Sequence, residues 1–306
     1  MNCKKGFSLV FTLWIVAMMS LITVLFLSYG KKIVKNSRDL ETKLEVTIAS
    51  ESFLEFLKFY GATAEIRDNK MINFNLKKIF PSFPTTLFID SRKNSWKNKI
   101  FYLQDTAGLI NVTDSEAISN FVEHENNIKD KTVIIRDSIE DWLDKDSVAY
   151  LNGAEDDFYR NYKYNTRDKN YFAHYQELSL VRGIMDSNQS SIKKLLSKIY
   201  SFKRSSRNLL TMDIDLLVYI YNFSHSNSIQ LKKARAESIE AFERLFFYFS
   251  DRKFNFEKDS FLPSGAVFIN IIVTDRNITK ESHAMIDFMA TKKRAWQVWN
   301  YQDGRR

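Results

Sequence analysis

The sequence has few of the residues that cross-link or interrupt a chain: among its 306 residues are one Cys, 3 Pro and 8 Gly. The single cysteine, Cys3, excludes an internal disulfide. So little glycine and proline excludes collagen-like, Gly-rich linker and Pro-rich architectures. Hydrophobic residues make up 44% of the chain and aromatic residues 14%, which is enough for a real core. The composition therefore predicts one large or two small folded domains.

Motifs of catalysis are also missing from the sequence. The glycines do not cluster into a phosphate-binding loop, and neither HExxH nor GxSxG occurs. The four histidines are scattered along the chain: His124, His174, His225 and His283. We therefore expect that the protein is not an enzyme.

Net charge alone does not identify a partner. Lys and Arg number 45 against 37 Asp and Glu, which gives a formal charge of +8. Such a balance suits nucleic acid or an anionic membrane, but cations spread along the chain are typical of an ordinary solvated surface. Residues 193–207 form a basic stretch with aromatics, so DNA binding is an alternative. A helix with an apolar inner face and solvated lysines explains the same stretch, and we expect no nucleic-acid partner.

Residues 7–29 carry no charge at all. This length exceeds the roughly 20 apolar residues that a helix needs to cross a bilayer, so the sequence predicts a transmembrane helix. A cleaved secretory signal is the alternative, but its apolar region has only about 7–15 residues and ends in a small-x-small site, which is not found at residues 28–31. Positive charges flank both ends of the run, so charge leaves the orientation open.

The helix is expected to continue beyond the apolar run. Apolar residues recur at spacings of three to five with charged residues between them, which predicts an amphipathic continuation over residues 30–61. A separate helix that begins after a break at Gly30 is the alternative. The apolar positions are Leu40, Leu44, Ile48, Phe53, Leu57 and Tyr60.

Strand-like and helix-like patterns divide the rest of the chain. Two regions, 62–113 and 251–306, are predicted to form one sheet, and residues 114–250 are predicted to be an inserted helical domain. The expected strands are residues 71–76, 86–90, 99–104, 266–274, 284–289 and 295–301, with the polar stretch 92–97 as a separator. Helices are expected at 192–200 and 232–249. The fold class is therefore α+β.

Acidic residues are concentrated in residues 137–157, where Arg136 and Lys145 are the only nearby cations. A helix would place Asp137, Asp141 and Asp144 on one face, where they repel one another. Ca²⁺, which takes six to eight oxygen ligands at irregular sites, would relieve this repulsion. The spacing is not that of an EF-hand, and a solvated acidic helix end is the alternative. The candidate ligands are Asp137, Asp141, Asp144, Asp146, Glu155, Asp156 and Asp157.

The residues in front of the apolar run resemble a known processing site. The sequence KKGFSLV at residues 4–10 is similar to the cleavage site of type IV prepilins and pseudopilins. This resemblance implies a leader at residues 1–6, cleavage between Gly6 and Phe7 by a prepilin peptidase, and methylation of the Phe7 amine. Most pilins carry Glu at the fifth mature position, where this chain has Phe11. The K-type minor pseudopilin of the type II secretion system also lacks that Glu and is placed at the pseudopilus tip.

A second set of motifs also resembles the K-type family. These motifs are IEDWLDKD at residues 139–146, NGAEDDFY at 152–159, KNYF at 169–172 and QELSLVRG at 176–183. Residues 105–112 fit a further family pattern imperfectly, because Thr106 replaces the usual acid. The motif residues singled out are Trp142, Gly153, Ala154, Tyr159, Asn170, Glu177, Leu178 and Gly183.

The resemblance implies a fold, a location and a function. The fold would be type IV pilin-like, a long N-terminal helix on an antiparallel sheet, with a large all-helical insertion that is associated with calcium in this family. The protein would cross the bacterial inner membrane once, with its soluble domain in the periplasm. It would nucleate the pseudopilus with the I-type and J-type minor pseudopilins and so support protein export. A minor pilin at the tip of a type IV or competence (DNA-uptake) pilus is the alternative.

Overall fold

A computed structural model describes residues 4–126, 131–162, 172, 174–200, 206–250, 254–255 and 257–288. The first element, helix α1, runs from Lys4 to Thr63. It passes through Gly30 without interruption, so the alternative of a break there is wrong. Among the described residues, α1 is the helix that is long and apolar enough to cross a membrane, and its apolar run is not covered by the rest of the protein.

The part of α1 from Thr42 onward packs on the soluble part of the protein. Its buried apolar side chains there are Val46, Phe53, Leu57 and Tyr60. Three of the apolar positions named from the sequence, Leu40, Leu44 and Ile48, are exposed and do not contact the sheet. The sheet contacts the opposite side of the helix, where Thr42, Val46 and Ser50 are buried.

After α1 the chain forms five strands. Strands β1 (Glu65–Arg67), β2 (Lys70–Ile72) and β3 (Thr86–Phe88) make a small antiparallel sheet, and β4 (Asp90–Trp96) pairs with β5 (Lys99–Asp105). The predicted strand over residues 71–76 is shorter, because residues 75–78 form a 3₁₀ turn.

The expectation that residues 92–97 separate two strands is wrong, because most of this stretch belongs to β4. The strand lies at an edge of the main sheet, where polar side chains can face solvent. At its end, the ring of Trp96 stacks on Phe53 of α1 at 5.8 Å between centroids.

The chain leaves the main sheet after β5 and enters a helical domain. Its helices are α2 (Ser115–Asn126), α3 (Thr132–Leu143), α4 (Asp156–Tyr159), α5 (Gln189–Leu196), α6 (Ile214–Tyr221), α7 (His225–Glu237) and α8 (Ile239–Ser250). Two short parallel pairs join distant segments. They are β6 (Ile110–Asn111) with β7 (Ile199–Tyr200), and β8 (Arg207–Asn208) with β9 (Asp259–Ser260).

Two predicted helices differ from the observed ones. The helix expected over residues 192–200 ends at Leu196, because the residues that follow pair with β6. The helix expected over residues 232–249 is divided between α7 and α8. Ser238 is extended at the junction (φ −159°, ψ 162°), and its Oγ accepts a hydrogen bond from the Ala241 amide.

The chain returns to the main sheet at β10 (Ala266–Asp275), which forms a hairpin with β11 (Ile278–Asp287). The sheet order is β11-β10-β5-β4, and every pairing is antiparallel. The strand expected at 284–289 is therefore the end of a longer one, and the strand expected at 295–301 lies outside the described residues. A long helix packed on this sheet, with helices inserted between β5 and β10, confirms the predicted α+β class.

The helical domain is attached at the end of the sheet that lies farthest from the apolar run. At that end Val267 pairs with Asp105, and Phe288 contacts Gly61 near the end of α1. At the opposite end, Arg276 in the β10–β11 turn donates a hydrogen bond to Thr42 at 3.1 Å. The apolar half of α1 and the helical domain thus project from opposite ends of the sheet.

Candidate metal site in the helical domain

Three carboxylates converge where α3 ends and α4 begins. Asp141 lies in the last turn of α3, Asp144 follows its last residue in an extended conformation, and Glu155 precedes α4. The intervening loop reverses the chain and brings Glu155 back beside the other two. One carboxylate oxygen from each residue lies within 4.8 Å of the others. We call these three residues the carboxylate triad.

The triad contains buried oxygen atoms that no protein donor satisfies. Within the described part of the chain, Asp141 Oδ2, Asp144 Oδ1 and Glu155 Oε1 are buried and accept no hydrogen bond. Buried polar atoms are nearly always paired, and an unsatisfied one costs about 1–3 kcal/mol, more if it is charged. Three such atoms in one place leave buried negative charge that the described residues do not compensate.

The loop between α3 and α4 is built closely around Asp141. The Tyr150 amide donates to Asp141 Oδ1 at 3.0 Å. A Cβ atom on Gly153 would lie 1.7 Å from Asp141 Oδ2, so any larger residue would displace the carboxylate. The glycine is therefore required by the close approach of the loop to this oxygen.

Proton affinity in the triad is raised. Burial is the largest cause for all three carboxyl groups, and the negative charge of neighbouring carboxylates adds to it. The pKa values of Asp141 and Asp144 are raised above their ordinary value, and that of Glu155 is raised to about 7. A bound cation would reverse this effect, because it stabilises the charged form of each group.

The other four candidate ligands lie outside the triad. Asp137 pairs with Arg136 at 3.1 Å, and Asp146 accepts a hydrogen bond from the Val148 amide at 2.9 Å. Asp156 and Asp157 are exposed in the first turn of α4, and Asp157 pairs with Arg160 at 3.0 Å. The predicted shared face of Asp137, Asp141 and Asp144 is not formed as one helix, because α3 ends at Leu143.

Several motif residues frame the triad. The ring of Trp142 packs edge-to-face on Tyr159 at 4.8 Å between centroids, and both side chains are buried. Tyr159 Oη accepts a hydrogen bond from the Arg182 amide at 3.0 Å. The Arg182 guanidinium donates to the Gly153 carbonyl at 2.7 Å and so anchors the loop. Arg182 was not among the sequence-based candidates, although it lies within one of the matched motifs.

Three of the remaining motif residues, Ala154, Leu178 and Gly183, serve the packing of the domain. Ala154 and Leu178 are buried, and Glu177 lies in the 3₁₀ turn 175–180. Gly183 has φ +85°, and a Cβ there would lie 2.7 Å from Ile135 of α3. The glycine is thus needed for both its conformation and its close approach. Asn170 lies outside the described residues.

The predicted processing residues Gly6 and Phe7 lie in the first turns of α1, far along the chain from the triad. Phe11 is in the same helix and is exposed. The structure therefore separates two functional regions that the sequence placed at positions 4–11 and 137–183.

The donor set of the triad fits calcium. All of its atoms are carboxylate oxygens, which hard cations prefer, and the site has no histidine or cysteine among the described residues. Three of these oxygens accept no hydrogen bond from the described residues. Backbone carbonyls and water commonly complete the irregular coordination of Ca²⁺, whereas Mg²⁺ demands a near-ideal octahedron.

Fold and site together describe a pilin-like protein with a carboxylate-rich helical insertion. Residues 110–199 match the family model of the type II secretion system (T2SS), protein K. A search among curated proteins finds no match. The resemblance to K-type minor pseudopilins that was predicted from the sequence is confirmed by this match, which covers the triad and its frame.

A solved structure extends the similarity to most of the chain. It is a chain in the crystal structure of the GspK-GspI-GspJ complex from the type 2 secretion system of enterotoxigenic Escherichia coli. The two chains are 14% identical and superpose with a TM-score of 0.52, over 88% of this chain and 99% of the other. The predicted pilin-like fold is confirmed by this superposition.

Proposed function

We propose that this protein is a non-catalytic minor pseudopilin at the tip of a type II secretion pseudopilus. It would nucleate assembly with I-type and J-type minor pseudopilins, and α1 would anchor it in the inner membrane with the soluble part in the periplasm. The observation that carries the proposal is the attachment of the helical domain at the end of the sheet opposite the apolar run. A domain in that place occupies the space above α1 into which a further subunit would stack.

The exposed side of α1 supports contact with neighbouring subunits. Leu40, Leu44 and Ile48 recur every four residues and form an apolar strip that the sheet does not cover. Helix-in-groove or helix-on-helix packing against another pseudopilin would bury this strip. Phe11 supports the tip position, because a carboxylate in the bilayer is retained only for a partner and a terminal subunit has none above it.

Co-expression of the full-length chain with the I-type and J-type pseudopilins tests the partners. We expect the three proteins to co-purify from membranes and Leu44→Asp to weaken that association. Lys43→Asp, which changes a neighbouring exposed residue, is the matched control. Equal recovery of the complex with both variants would contradict a role for the apolar strip.

The position in the filament is tested by labelling assembled pseudopili with an antibody against the helical domain. We expect label at one end only, whereas label along the length would contradict the tip position. Deletion of the gene should abolish export of secreted proteins. Loss of DNA transformation with export intact would assign the protein to a competence pilus instead.

Processing is a separate part of the proposal. Prepilin peptidase would cut between Gly6 and Phe7 and methylate the new amine. Intact mass and N-terminal peptides of the membrane-expressed protein, with and without the peptidase, measure this directly. An N-terminus that stays uncut when the peptidase is present would contradict pilin-type processing.

We further propose that Ca²⁺ is bound by Asp141, Asp144 and Glu155. The buried unsatisfied oxygens of these residues support this assignment. The ion would neutralise the triad and hold the loop between α3 and α4 against the rest of the domain. Calorimetry with full-length protein in detergent tests it: we expect uptake of Ca²⁺ that Glu155→Gln abolishes. No heat of binding at millimolar Ca²⁺ would overturn the assignment.

A further inference from the structure

Three cations form a line on α1 immediately beyond its apolar run. Lys31, Lys35 and Arg38 are spaced by four and three residues, which places them on one face of the helix. All three are exposed. We call them the basic stripe.

The basic stripe continues a shallow apolar groove on the same side of the helix. The groove is lined by Phe26, Leu27, Gly30 and Val34 together with the stripe and Asp39. A Cβ atom on Gly30 would meet nothing within 4 Å, so the glycine opens the surface further. The face is apolar toward the membrane-spanning half of α1 and cationic just above it. An anionic phospholipid has the same succession of acyl chain and charged headgroup.

The cations of the stripe form no ion pair with the residues that the structure describes. Among the described residues, the ion pairs of lysine include Lys58 with Glu55 on the same helix, Lys194 with Glu125 and Lys198 with Asp213, but none involves the stripe. Asp39 is the one carboxylate that lines the groove. The stripe therefore presents excess positive charge to whatever lies beside it.

The distance of the stripe from the bilayer suits an electrostatic contact. At 1.5 Å of rise per residue, the step from Lys31 to Arg38 is roughly 10 Å along the helix. The Debye length at physiological salt is about 8 Å, so the stripe lies within about one screening length of the headgroups. Each cation near an anionic leaflet raises binding to the anionic lipids about fivefold.

Membrane topology does not explain why the cations are there. In the proposed orientation the stripe lies on the exported side, where the positive-inside tendency disfavours Lys and Arg. We infer that the basic stripe binds the headgroups of anionic phospholipids in the periplasmic leaflet, with Phe26 and Leu27 against an acyl chain. This inference rests on the proposed membrane anchor. The contact holds the subunit in the bilayer until assembly draws α1 out.

The experiment uses full-length protein in nanodiscs that contain equal amounts of phosphatidylglycerol and phosphatidylcholine. Native mass spectrometry counts the lipids that stay bound after release. We expect enrichment of phosphatidylglycerol that falls with rising salt. Lys31→Gln/Lys35→Gln should reduce the enrichment by roughly 10-fold or more, since two cations are lost. Lys77→Gln/Lys78→Gln, at two exposed lysines of the soluble part, has the same charge change and should leave the enrichment intact.

Insertion is scored separately by resistance to alkaline carbonate extraction. An inserted protein with no preference for phosphatidylglycerol, or an equal preference in both double variants, overturns the inference and leaves the anchor standing. A protein that carbonate extracts contradicts the anchor and the stripe together. If the stripe variant retains its lipids but loses the I-type and J-type subunits, the stripe is a protein contact and the lipid assignment is wrong.

Discussion

Two buried carboxylate sites in this molecule differ in how their oxygens are satisfied. Asp105, at the junction of the sheet and the helical domain, is fully buried. Its oxygens accept hydrogen bonds from Ala107 N, Ser264 N, Ser264 Oγ, Asn208 Nδ2 and Thr211 Oγ1. The triad of Asp141, Asp144 and Glu155 instead has three buried oxygens with no donor among the described residues.

This difference separates a structural role from a binding role. Donors from β8, from the segment after it and from the segment before β10 surround Asp105, so that one side chain ties the helical domain to the sheet. The triad has fewer donors: the Tyr150 amide donates to Asp141 Oδ1, but one buried oxygen of each triad residue has no donor among the described residues. A buried carboxylate with its full set of donors needs no ligand, whereas clustered carboxylates without donors suit the cation that we propose for the triad.

The largest expected effect is a loss of stability when Asp105, the carboxylate with a full set of donors, is replaced. Asp105→Ala leaves several buried donors without an acceptor, so we expect the free energy of unfolding to fall by about 4 kcal/mol. Thermal unfolding of the detergent-solubilised chain measures it. Asp186→Ala, at an exposed position, should change stability by less than about 0.5 kcal/mol. A similar small effect at Asp105 would contradict its role as the tie between the domains.

The next effect is expected at Gly153, which lies directly against the Asp141 carboxylate. Gly153→Ala places a methyl group against Asp141 Oδ2, so we expect a loss of about 1–3 kcal/mol in stability and at least tenfold weaker Ca²⁺ binding. Gly30→Ala is the matched control. Its Cβ meets nothing, and removal of a helical glycine should stabilise α1 by up to about 1 kcal/mol. Unchanged Ca²⁺ affinity in Gly153→Ala would show that the ion binds elsewhere.

A smaller effect is expected in the pH dependence of stability when a chelator has removed all metal from the protein. The folded-state pKa of Glu155 is raised from 4.5 to about 7, so the folded state holds a proton that the unfolded state has lost in this interval. Stability therefore falls as pH rises from 4.5 to about 7 and stays lower above it. We would compare the melting temperatures of the unsubstituted chain and of Glu155→Gln across this pH range in EDTA. The difference isolates the contribution of the Glu155 carboxyl group to stability.

That pH effect should disappear when Ca²⁺ is bound. Excess Ca²⁺ should remove the fall, because the ion binds the deprotonated triad and stabilises the folded state at high pH. A melting temperature of the unsubstituted chain that rises relative to Glu155→Gln between these pH values in EDTA would contradict the assigned pKa shift.

The smallest effect is expected at acidic residues outside the triad. Asp157 is exposed and paired with Arg160, so Asp157→Asn should change Ca²⁺ affinity by less than about threefold. Calorimetry measures the Ca²⁺ affinity of Asp157→Asn and of Glu155→Gln under the same conditions. Equal losses in the two variants would mean that the whole acidic segment, and not the triad, determines binding.

The sequence determined those features that depend on periodicity, length or local composition. An uncharged run and its amphipathic continuation predicted α1, because a helix is specified by residues close together in the chain. Strand-like patterns at 99–104 and 266–274 predicted β5 and β10 as strands of one sheet. The motifs around Trp142 and Gly153 predicted the family and the segment in which the site lies.

The tertiary structure decided which residues of each segment are buried, form a strand or converge in the candidate site. The sheet contacts Thr42, Val46 and Ser50 rather than the apolar strip on α1, because the side of a helix that is buried depends on what packs there. The polar sequence of β4 did not indicate a strand, and it forms one because its position at the sheet edge lets polar side chains face solvent. The loop reversal after α3 selected three carboxylates from seven, because convergence of side chains depends on where the chain turns in space and spacing along the sequence does not contain that information.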